Sequence, residues 1–181
     1  MTKKVKTVLL LLLGCSFSAF AQEAKKTKGY QGIIEIGAST LIYDHQTSPI
    51  LLKADFINGY KFNPSISAGI GIGIILSPSE IGNEGAYILP LYGNFRANLF
   101  YHQSTKVFPY IQTGAGLAFV PGSDEHFFIL RQAIGIGFKK SPAHIGLIGE
   151  MFRANIAYEK GGKGHHSKSI FCPGIIIGFS F

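Results

Sequence analysis

Residues 87–101 read YILPLYGNFRANLFY. Taken two at a time, they separate into two faces. One carries Tyr87, Leu89, Leu91, Gly93, Phe95, Ala97, Leu99 and Tyr101, and the other Ile88, Pro90, Tyr92, Asn94, Arg96 and Asn98. A period of two is the signature of a β-strand, whose side chains alternate between sides. The question is which face points to a core. A soluble barrel turns its apolar face inward. A membrane barrel inverts this, with lipid on the apolar face and polar groups inside. Tyr87 and Tyr101 stand at the two ends of the apolar face, with aliphatic residues between them. Phe128 and Phe138 bracket a second such stretch, and Phe171 with Phe179 and Phe181 a third. Aromatics at both ends match the girdles that sit at membrane–water interfaces. Asn58 and Gln132 interrupt the expected lipid face.

The same alternation recurs along the chain. It predicts strands over about 30–43, 50–62, 65–76, 86–101, 107–119, 127–139, 143–158 and 169–181, with turn residues between them. Expected turns on one side are Asn63-Pro64, HQSTK (102–106) and KSP (140–142). Generally longer loops on the other are DHQTSP (44–49), SPSEIGNEG (77–85), VPGSDEH (120–126) and EKGGKGHHSK (159–168). Short turns opposite longer loops is the arrangement of outer-membrane barrels. Closure would leave no sheet edge in the bilayer. The fold class read here is therefore all-β, an eight-stranded antiparallel up-and-down transmembrane barrel. A soluble sandwich rich in phenylalanine is the alternative, and the export signal and strand number weigh against it.

The N-terminus supplies that signal. Lys3, Lys4 and Lys6 precede an apolar run, Val8–Leu13, and Ala19-Phe20-Ala21 forms a small-x-small cleavage site. This reads as a secretory signal peptide over 1–21. A short periplasmic segment, 22–29, would then lead into a barrel domain, 30–181. Leu12-Leu13-Gly14-Cys15 offers a rival lipidation site at Cys15. Cleavage after Ala21 removes three lysines, which lowers the formal charge from +7 to +4. So mild an excess gives no sign of nucleic-acid binding. Only Cys172 survives processing, so neither a disulfide framework nor a cysteine metal site is expected. Mean hydropathy is nonetheless +0.25, more apolar surface than one small core can hide.

Over nearly the whole mature chain the sequence resembles the small eight-stranded outer-membrane β-barrel family, the OmpX/OmpA-like barrels. LPLYGNFRANLFYHQSTKVFPYIQTGAGLAF (89–119) is similar to their central hairpin. The closing PGIIIGFSF (173–181) alternates and ends on an aromatic residue. The resemblance implies that Phe179 and Phe181 carry the assembly signal read by barrel-insertion machinery. It implies an outer-membrane location with periplasmic termini and extracellular longer loops. It is weak for activity, because such barrels host unrelated roles.

Strand parity places Glu35, Lys53, Asp55, Lys61, Arg96, Arg131, Lys139 and Glu150 inside, with Tyr92, Asn94, Asn98, Tyr110 and Gln112. An internal ion-pair network that plugs the barrel is the favoured reading over an ion path or ligand pocket. The glycines on the same face, among them Gly71, Gly114, Gly135 and Gly137, leave a cavity or make room for bulky neighbours. Arg131 and Glu150 are expected to pair across a hairpin turning at Lys140-Ser141-Pro142. A β-bulge near Met151-Phe152 would then turn Arg153 inward. His165 and Ser167 keep a His-x-Ser spacing that resembles the lipid A deacylases of the PagL type. Lys168 stands where those have Asn, and no Asp or Glu follows Ser167, so the orienting carboxylate of a serine nucleophile is missing downstream. The leading expectation is a structural or interaction barrel of OmpX-like type, monomeric, not a pore and without cofactor. Its partners would be outer-membrane lipids and lipopolysaccharide. A lipid A-modifying enzyme and an accessory barrel of a secretion or assembly machine are the alternatives.

Overall fold

The structure, a computed structural model, describes residues 28–43, 46–77, 87–101, 106–122, 126–157 and 165–181, with the side chains of 43, 46–49, 154–157 and 165–168 outside that description. Its eight strands are β1 (Gly29–Tyr43), β2 (Gln46–Asn63), β3 (Ile66–Leu76), β4 (Tyr87–Asn98), β5 (Val107–Phe119), β6 (His126–Phe138), β7 (Ala143–Ala157) and β8 (His165–Ser180). Each pairs antiparallel with the next, and β1 pairs with β8 to close the barrel. The ring closes with a stagger. Following register partners from Ile33 through Ile57, Gly71, Tyr92, Gly116, Ile129 and Phe152 arrives on β8 at Ile170, whereas Ile33 itself faces Ser180, ten residues away. A closed barrel needs such a shear, because its strands tilt against the axis.

Both ends of β2 and β8 are informative. β2 begins at Gln46, so most of the expected loop at 44–49 is strand, with Gln46 opposite Tyr43. β8 begins at His165, so residues expected in a loop at 159–168 also pair, His165 with Ala157 and Ser167 with Asn155. A strand continues for as long as its neighbour offers unpaired amides. At the opposite end, called here the turn end, Asn63 closes the β2–β3 hairpin. Its Oδ1 accepts from the amides of Ser65 at 2.8 Å and Ile66 at 2.9 Å, an Asx-type turn.

The expected bulge in β7 is absent. Leu130, Ile129 and Phe128 face Met151, Phe152 and Arg153 without a break in register. Phe152 is buried inside and Arg153 is exposed outside. Near the loop end of the strand an arginine can run its methylenes along apolar surface and reach the interface, so no backbone irregularity is needed to hide it.

Burial alternates along the strand centres, most clearly in β4. Tyr92, Asn94 and Arg96 are buried between exposed Leu91, Gly93 and Phe95. The outer face exposes Tyr30, Tyr60, Phe62, Phe138 and Phe179 toward the turn end and Tyr87, Phe119, Phe128 and Phe171 toward the loop end. Exposed Ile70, Ile72, Ile134, Leu147 and Ile175 lie between them. Two aromatic girdles around an aliphatic band match a lipid-facing surface.

Candidate functional site

The interior has layers. In the middle, β6 places Arg131 where its side chain is fully buried. Its guanidinium pairs with Glu35 of β1 and, at 2.8 Å, with Asp55 of β2. Glu35 also accepts from Gln112 Nε2 at 3.3 Å and lies 3.1 Å from His144 Nε2. Asp55 accepts from the Tyr92 hydroxyl at 3.1 Å, and that hydroxyl accepts from Arg131. Lys53 Nζ holds Glu150 at 2.9 Å. Pairing and hydrogen bonding of this kind offset the cost of burying these charges.

Of the residues picked out by parity, Glu35, Lys53, Asp55, Arg131 and Glu150 thus come together. The partner expected for Arg131 needs correction. Arg131 and Glu150 are register neighbours, yet their closest charged atoms are 3.9 Å apart. Glu150 turns to Lys53, while Arg131 reaches across the lumen to β1 and β2. Arg96 is separate. It makes no ion pair within 4 Å among the described residues; its guanidinium lies 3.8 Å over the Tyr110 ring and its Nε reaches Asn98 Oδ1 at 3.3 Å. Lys61 and Lys139 approach the Tyr101 ring at 5.9 and 5.4 Å, at the turn end.

The inward glycines make room rather than a cavity. A Cβ on Gly71 or Gly114 would strike the Tyr92 ring, and one on Gly135 or Gly146 the Tyr110 hydroxyl. Toward the loops the lumen changes character. Leu51, Ile75, Ala118, Ile129, Phe152 and Cys172 form a buried apolar cluster, with Leu41, Ile88, Phe127 and Ile170 packed against it. These residues, and His144, were not anticipated. Parity was the available signal: His144 shares the face of Glu150, and Leu51 that of Lys53.

The remaining sequence candidates lie elsewhere. Phe179 is half exposed on the outer face. Phe181 exchanges backbone hydrogen bonds with Gly32 at 2.7 and 2.8 Å, and its ring lies over that glycine. The backbones of His165 and Ser167 belong to β8, but their side chains lie outside the described residues. In the lumen Glu35 and His144 form a carboxylate–imidazole pair. The other imidazole nitrogen has no hydrogen-bond partner among the described residues.

No family model matches the chain, and no curated protein matches it in sequence. Solved structures do match. Neisserial surface protein A superimposes with a TM-score of 0.55 at 12% identity, over 84% of this chain and 97% of its own. The outer membrane enzyme PagL gives 0.54 at 13% identity, over 82% and 98%. At such identities the likeness is one of fold. The closed, staggered barrel, its polar interior and its two outer girdles agree with it: the chain has the fold of the small eight-stranded outer-membrane barrels.

Proposed function

We propose that the protein is a structural or interaction barrel of the outer membrane, of OmpX-like type, with a lumen closed by its own side chains. The single observation that carries this reading is the interior itself. A layer of ion pairs around Arg131 fills the middle, and an apolar cluster around Phe152 fills the loop side. Eight strands leave an interior just wide enough for side chains, and here two Tyr rings occupy the space above the glycines. Short turns would face the periplasm and the longer loops the outside. Lipid and lipopolysaccharide would cover the outer face, and Phe179 and Phe181 would be read during insertion. Two measurements test it. The expressed protein should fractionate with outer membrane and migrate differently on gels before and after heating. In planar bilayers it should give no ion-conducting steps; stable open channels would overturn the reading.

A further inference from the structure

The outer face carries one feature that lipid does not explain. Thr113 and Gln132 are register partners on β5 and β6. Each is the seventh of thirteen residues in its strand, so the pair lies midway between the girdles. Gln132 is exposed on the outer face and Thr113 is half-buried. Neither side chain hydrogen-bonds to another described residue. On one side of them, Gly93 and Ala115 are small, exposed and opposite one another, a dip bordered by exposed Phe95, the register partner of Thr113, and by Ile111 and Ile134. Asn58 also faces outward, but it stands two residues from Tyr60 of the turn-end girdle, within reach of the interface.

Resting on the membrane reading above, we infer that this face is the contact of a symmetric dimer, in which Gln132 of one protomer hydrogen-bonds Gln132 of its partner. At mid-depth the surrounding acyl chains offer no donor or acceptor, and an amide left bare in hydrocarbon is costly. The carboxamide carries both a donor and an acceptor. A second copy across a two-fold axis presents the same group reversed, so each amide donates to and accepts from the other. A different membrane protein would have to supply a matching group; a second copy brings it automatically. The dip at Gly93 and Ala115 gives the bulky residues at its edge room to seat across the contact, as small residues do where membrane segments associate. The dimer replaces the monomer expected from sequence.

The experiment uses labelled full chain in phosphatidylcholine vesicles at low protein-to-lipid ratio, with bleaching steps counted per particle. Wild type should bleach in two steps. Gln132→Leu, which removes both reciprocal hydrogen bonds, should shift the monomer–dimer balance about tenfold toward monomer, the worth of roughly two membrane-buried hydrogen bonds. Gln132→Asn should keep most of the association, and Gln132→Cys should cross-link under oxidation into a species of twice the mass. A heat-modifiable wild type that bleaches in one step at every ratio overturns the dimer alone. So does a folded Gln132→Leu that associates as tightly as wild type, or cross-linking in cells from position 132 to a different protein. A chain that never becomes heat-modifiable in vesicles overturns the membrane reading, and the dimer with it.

Discussion

Between Glu35 and Glu150 the lumen is a lattice of carboxylates, guanidinium, ammonium, phenol and imidazole. One layer closer to the loops, the same face of β2, β6 and β7 presents Leu51, Ile129 and Phe152, joined by Ile75 of β3. On β2, Leu51 and Lys53 are two residues apart; on β6, so are Ile129 and Arg131; on β7, so are Glu150 and Phe152. The switch from charge to hydrocarbon is made in a single step on three strands, which points to a layer rather than to scattered substitutions. An apolar lid over a charged layer keeps loop-side water away from it. Low local polarity then strengthens each pair and raises the penalty for breaking one.

Mutations can separate the two layers. The largest loss is expected from Arg131→Met, which leaves Glu35 and Asp55 without their shared cation. Removing one partner of a buried pair costs about 3–5 kcal/mol, read from urea unfolding in vesicles or from the temperature at which the folded gel band disappears. In the lid, Phe152→Ala should cost about 3 kcal/mol, because a buried ring leaves a hole that its neighbours fill only in part. Phe128→Ala, on the outer face of β6, should cost clearly less, since lipid occupies the vacated space; equal losses at 128 and 152 would erase the distinction between lid and lipid face. Smaller still is the difference between two couplings. A double-mutant cycle on Lys53 and Glu150 should give an interaction of about 1 kcal/mol or more, and one on Arg131 and Glu150 less than about half of that. The reverse order would restore the hairpin pairing expected from register. The smallest effect is expected at β8. Ser167→Ala should leave lipid A unchanged by mass spectrometry. An acyl chain removed by wild type and retained with the variant would make the protein an enzyme.

How much of this could be read beforehand depends on reach. Alternation is local, and it located every strand and the inward side of Glu35, Lys53, Asp55, Arg96, Arg131 and Glu150. Whether an apolar residue on that side faces lipid or lid is not local. Ile129 and Phe152 look like lipid-facing residues to a reader who expects the inside to be polar throughout. Arg153 in particular made a bulge look necessary, since unbroken alternation from Glu150 leaves it outside; the register is unbroken, Arg153 is outside, and the Phe152 ring is buried in the lid. His144 escaped notice because a lone histidine beside a turn resembles surface, although its parity matched Glu150. Register showed which residue stands beside Arg131 on the next strand. It could not show that the side chain crosses the lumen to β1 and β2, since nothing in the hydrogen-bond ladder links those strands to β6. For the same reason the room left by Gly71 and Gly114 could be assigned to Tyr92 only once the rings were in place.

The central claim is that the middle of the lumen is a self-paired charged layer held under an apolar lid. The most direct test is a double-mutant cycle on Glu35 and Arg131, with Glu35→Gln, Arg131→Met and both together unfolded in the same vesicles. The account expects the double variant to lose at least about 2 kcal/mol less than the sum of the two single losses, the range found for residues sharing one buried network. Strictly additive losses would mean that the two side chains are hydrated separately in a wet lumen, and would contradict it.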